Sequence, residues 1–104
     1  MESKRYKLRF LPLFIEDINE IVDYIQSRLH SPASAEALID QVQKAIRARV
    51  SCAEAFEQFH SQKDRQHPYY RIYVKNYTIY YVVIGDVMEV RRILYAKRNA
   101  KEIL

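Results

Sequence analysis

The residues of this sequence best suited to chemistry lie in its last third, where Arg71, Tyr73, Arg92, Tyr95, Lys97 and Arg98 combine fixed positive charge with phenol side chains. Guanidinium and ammonium groups bind phosphates or carboxylates, and tyrosine rings interleaved with them offer flat surfaces to bases or to an apolar peptide. The formal net charge of +4 is concentrated in the same region. Residues 1–68 carry ten basic and ten acidic side chains, whereas residues 69–104 carry Arg71, Lys75, Arg91, Arg92, Lys97, Arg98 and Lys101 against Asp86, Glu89 and Glu102. An anionic partner is therefore expected: RNA, DNA or an acidic protein segment. The plain alternative is a solvated surface that keeps a small domain soluble.

Other chemistries lack their residues. Cys52 is the single cysteine, so it forms no intramolecular disulfide and no cysteine zinc site, and a free thiol near a helix end is expected. His60 and His67 lie seven apart without a cysteine partner, and His30 is far off in sequence, so neither a metal site nor a catalytic triad is expected. Gly85 is the only glycine, which rules out dinucleotide and phosphate-binding loops that need several. No cofactor is expected.

The length of 104 residues fits one domain, 1–104, and 49% hydrophobic with 29% charged residues is ordinary for a soluble globular protein. No apolar run approaches the ~18 residues needed to span a bilayer. The opening MESKRYKLRF lacks the apolar stretch of a secretory signal, so a cytoplasmic location and no membrane partner are expected.

Residues 5–11 mix alternation at Tyr6, Leu8 and Phe10 with strand formers and then meet Pro12, which predicts a strand before a turn. Over residues 13–29, Phe14, Ile18, Ile21, Val22, Ile25 and Leu29 recur at helical spacing, with Glu16 and Asp17 placed for a first helical turn. Ser31 and Pro32 then supply a cap and a first helical residue for a second helix, whose stripe is Ala35, Leu38, Val42, Ala45 and Ile46 and closes at Arg49 or Val50. Residues 51–68 predict a loop in which Phe56 and Phe59 cover a core edge and His60, Lys63, Asp64, Arg65 and His67 are solvated. Strands follow at 69–74, 77–84 and 87–96, joined by the short turns Lys75-Asn76 and Gly85-Asp86 that suit antiparallel hairpins. The expected fold is α+β, ordered β-α-α-β-β-β, with a helical hairpin on a small, mainly antiparallel sheet and a short C-terminal tail or helix.

Seven of the nine tyrosines fall on these three strands, so one sheet face is expected to pack on the helices and the other to expose tyrosines among Arg71, Arg92 and Lys97. Such a face suits a hydrophobic peptide from a partner protein, or bases stacked between cations.

The order of elements, together with YTIYYVV at 77–83 and VRRILYAKRN at 90–99, resembles the RelE/ParE superfamily of toxins, and the likeness covers almost the whole chain. It implies the toxin of a type II toxin–antitoxin pair, held inactive as a hetero-oligomer by a cognate antitoxin that has an acidic segment and a DNA-binding domain. RelE-like members are ribonucleases that cut mRNA on the ribosome, with cations for the developing phosphorane charge and an acid or base for proton transfer. Arg71 and Arg98 match two of those cations. The other matched positions depart: Thr78 stands for a catalytic Arg, Tyr73 for a second cation and Leu104 for a terminal Tyr. ParE-like members, which RILYAKRN at 92–99 and the aliphatic ending resemble, inhibit DNA gyrase through protein contact and need no hydrolytic site. The resemblance thus favours the ParE-like branch, leaves a RelE-like ribonuclease as the alternative, and assigns target or partner contacts to Arg71, Tyr73, Arg92, Tyr95, Lys97 and Arg98.

Overall fold

The computed structural model describes residues 5–60 and 66–104, apart from the side chains of Lys101 and Glu102. Lys63, Asp64 and Arg65 of the expected solvated loop, and the Lys101 side chain, lie outside the described residues. The elements are β1 (Lys7–Phe10), α1 (Pro12–Ser27), α2 (Pro32–Arg49), β2 (Gln58–Phe59), β3 (Tyr69–Val74), β4 (Tyr77–Ile84), β5 (Val87–Tyr95) and α3 (Ala100–Ile103). The order is β-α-α-β-β-β-β, an α+β fold in which the α1–α2 hairpin packs on one face of a five-stranded sheet. The strands lie in the order β1-β5-β4-β3-β2, with β1 parallel to β5 and every other pair antiparallel.

Local chemistry explains the boundaries. Pro12 and Pro32 open the helices, where a missing N–H costs nothing. Ser31 is the N-cap of α2, yet its hydroxyl bonds Ser34 at 2.6 Å rather than the backbone. His30, at φ +50°, turns the chain between the helices, and the Ser31 N–H donates to the Ile25 carbonyl at 3.2 Å. Gly85 takes φ +63° in the β4–β5 turn, a left-handed conformation glycine adopts without a Cβ penalty.

Strand alternation sorts the side chains. Tyr70, Ile72 and Val74 of β3 and Ile79 and Tyr81 of β4 join Phe14, Ile25, Leu38, Val42 and Ile46 of the helices in the main core. On β5, Met88, Val90 and Ile93 do the same, although Val90 and Ile93 are an odd number of residues apart. The register explains this: Tyr80 pairs with Arg92 and Tyr81 with Val90, so Arg91 is an extra residue that resets the alternation, a β-bulge.

The opposite face differs from expectation. Tyr69, Tyr80, Val82 and Leu94 form a second apolar cluster, covered by Phe59 of β2 and by Ala100, Ile103 and Leu104 at the C-terminus. Of the seven strand tyrosines, Tyr73 at 68% and Tyr95 at 42% stay well exposed. The C-terminal segment, expected as a short tail or helix, is therefore docked on the sheet. A two-residue strand such as β2 is too short for periodicity to reveal.

Candidate functional site

The two basic residues of β5, Arg91 and Arg92, are both committed to carboxylates of the chain itself. Arg92 makes a bidentate pair with Asp17 of α1, Nε to Oδ2 at 2.8 Å and Nη2 to Oδ1 at 2.9 Å, and the Ile93 N–H also donates to Oδ2 at 3.1 Å. Pairing of β1 with β5 ends at Phe10 and Val90, so β5 loses its neighbour at this point, and Asp17 accepts the N–H that the strand edge leaves over. The hydrogen bond to Asp17, working against burial, raises the Arg92 pKa further. Asp17 is thus a buried tether to β5, not a helix-dipole residue, and Arg92, expected at a partner surface, already has its carboxylate.

Arg91 points at Glu89, with Nε to Oε2 at 2.8 Å, and at the Tyr69 hydroxyl, at 3.2 Å. Glu89 also accepts from Arg9 of β1. Burial alone would raise the Glu89 pKa, but hydrogen bonds and charge from Arg91 and Arg9 outweigh it and hold the carboxyl below its usual range. Arg71 is half-buried, its guanidinium 4.9 Å from the centre of the Phe59 ring, and it lies opposite Tyr80 across the β3–β4 ladder.

Tyr73, Tyr95, Lys97 and Arg98 are exposed. Tyr73 is the β3 neighbour of Thr78, which is itself buried. The Arg98 N–H donates to the Tyr95 carbonyl at 2.9 Å, and the Ala96 N–H to the Asn76 carbonyl at 2.8 Å. The turn after β5 is thereby fastened to the β3–β4 turn. Of the six residues singled out from sequence, β3 and β5 place Arg71, Tyr73 and Arg92 on the outer sheet face, whereas Tyr95, Lys97 and Arg98 lie at the end of the sheet.

Four tyrosines have shifted acidities, and all four are raised. Tyr6 is pushed up to about 12 by its hydrogen bond to Glu54 and by burial. Tyr77, Tyr80 and Tyr81 are raised mainly by burial, Tyr80 against the opposing charge of Arg71. None of these phenols is tuned to serve as a base near neutral pH.

A second surface went unnoticed in the sequence. All four β1 residues are exposed, and Leu8 and Phe10 line a groove of about 350 Å³ with Phe14, Ile15, Ile18 and Ile39 of the helices. Gln43 and Arg47 form its polar rim. The available signal was the apolar surplus on α1, where Leu13 and Ile15 stand off the core stripe and remain about half exposed at 49% and 47%. Among the described residues, no group of three His, Cys, Asp or Glu is placed to hold a metal ion, and no helix is long and apolar enough to cross a membrane.

Comparison with known proteins places this geometry. The chain resembles the solved structure described as the chromosomal ParDE TA system from P. aeruginosa, with 15% identity over 91% of this chain and 100% of that one, at a TM-score of 0.73. It is also similar to a chain of the archaeal RelE-RelB complex from Pyrococcus horikoshii OT3, with 12% identity over 91% and 99% of the two chains and a TM-score of 0.54. These likenesses establish the shared fold. No match was found among curated protein sequences. The family model for the ParE toxin of the type II toxin-antitoxin system, parDE, matches residues 8–100, and this chain therefore belongs to the ParE toxin family.

Proposed function

We propose that this chain is a one-domain cytoplasmic toxin that inhibits DNA gyrase through protein contact, without nuclease activity of its own, and that a cognate antitoxin neutralises it. The observation that carries the proposal is the outer sheet face, where an apolar cluster occupies the ground a nuclease would need. Thr78 is 3% exposed and Leu104 5%, and Tyr73 offers no charge, so Arg71 and Arg98 stand without the groups that would complete a phosphodiester-cleaving set. Tyr73, Tyr95, Lys97 and Arg98 are left to contact the target.

The antitoxin reading is supported by the two toxin–antitoxin assemblies of the same fold and by the apolar groove beside β1. A disordered antitoxin segment would fold into that groove as an amphipathic helix, a carboxylate meeting Arg47 at the rim, while its DNA-binding domain stays outside.

Expressing the chain alone tests the target. Filamentation and a DNA-damage response with amino-acid incorporation intact are expected. Early arrest of translation, with codon-spaced mRNA cuts that vanish in Arg71→Ala, would place the chain among the ribonucleases. Harmless expression would mark a decayed toxin.

A further inference from the structure

At one end of the sheet, three tyrosines from three elements gather among cations. Tyr77 of β4 and Tyr95 of β5 are direct cross-strand partners, with ring centroids 6.0 Å apart and planes at 66°. Tyr24 of α1 lies close enough to act electrostatically on the Tyr77 hydroxyl, and it is 53% exposed. Tyr77 is half-buried and packs against the main core, so it forms the floor of the cluster while Tyr24 and Tyr95 present open ring surface.

The charge of the two turns beside the rings is one-sided. Lys75, at φ +52°, occupies the β3–β4 turn, and Lys97 occupies the turn that the Ala96-to-Asn76 hydrogen bond fastens beside it. Both side chains are exposed. Residues 66–85 and 90–99 contain no carboxylate. Asp86 and Glu89 lie towards the other end of β5, engaged with Lys7, Arg9 and Arg91. On α1, the exposed Glu20 acts on the Arg92 guanidinium through its charge, and Asp23 accepts from the Ser27 hydroxyl.

We propose that this tyrosine cluster, flanked by Lys75 and Lys97, is a binding site for single-stranded nucleic acid, with unpaired bases stacking on Tyr95 and Tyr24 and the two lysines holding phosphate. Aromatic platforms accept any base because every base has a π-face, whereas duplex DNA hides those faces inside its stack. An acidic peptide would be served by the lysines alone and would leave the rings without a role. The site stands on its own geometry, so a protein that inhibits gyrase without binding a strand would refute this inference and leave the proposed function intact.

The test uses the full chain and a fluorescein-labelled oligothymidine of about 12 nucleotides, within the footprint such platforms cover, read by fluorescence anisotropy. Binding that weakens with added salt is expected, and Lys97→Ala should lower the salt slope by about 0.7. Tyr95→Ala should weaken binding about tenfold and Tyr95→Phe should preserve it, since stacking needs the ring and not the hydroxyl. If Tyr95→Ala fails to fold by circular dichroism, Tyr24→Ala, on an exposed helix face, decides the matter with an expected loss of about fivefold from the same stacking. No binding at low salt would overturn the proposal. So would equal affinity for duplex, indifference to both tyrosine substitutions, or displacement of the strand by polyglutamate at equal charge.

Discussion

Asp17 shows how far a residue's role can lie from its local sequence. Beside Glu16 it reads as an acid near a helix start, yet it sits a full turn into α1 and accepts three hydrogen bonds from Arg92 and Ile93. Nothing in a periodicity pattern links partners 75 residues apart. Asp17→Ala would leave a guanidinium with only 19% side-chain exposure unpaired and strand the Ile93 N–H. A loss of about 3 kcal/mol is expected by urea denaturation. Arg98→Ala removes an exposed charge, should cost under about 0.5 kcal/mol, and is expected to abolish growth inhibition. Equal loss of stability and toxicity would make Arg98 structural. Glu89 carries a pH signature: its folded pKa lies below the usual 4.5, so the stability it adds is present above that value and drains as pH falls through the folded pKa. Acid denaturation followed by circular dichroism should therefore be less steep in Glu89→Gln.

At the scale of elements, the two helices and the three long strands were legible because each repeats one signal several times. The α1 stripe ends at Ser27, two residues short of Leu29, which is 57% exposed. The two-residue β2 and the bulge at Arg91 were not legible, for neither has a glycine, a proline or a period to mark it. That bulge decides which β5 residues face the core, and Phe59 of β2 helps to close the outer face, so the site was less legible than the fold. The C-terminal segment is the element whose role changed most. Leu104 is 5% exposed against Tyr69, Tyr80 and Leu94, and Leu104→Ala should cost about 2 kcal/mol, at the low end for a leucine because a chain terminus collapses readily. Removing residues 100–104 should expose the outer cluster, seen as increased binding of a hydrophobic fluorescent dye. A truncated chain with unchanged dye binding and melting temperature would show that α3 covers nothing.

Across the whole molecule, sequence showed where the charge excess lies, and the fold shows how little of it is free. Arg91 and Arg92 are bound to carboxylates of the chain itself and Arg71 rests on an aromatic ring, which among the described residues leaves Lys75, Lys97 and Arg98 as the exposed cations at the end of the sheet. On the proposed reading, these cations serve a contact surface, and the groove beside β1 serves the antitoxin. The measurement that bears most directly on this is plasmid supercoiling by purified DNA gyrase with the purified chain added in excess. A gyrase inhibitor should stop supercoiling, with cleaved plasmid accumulating and Arg98→Ala restoring activity; supercoiling that proceeds at its full rate would contradict gyrase as the target.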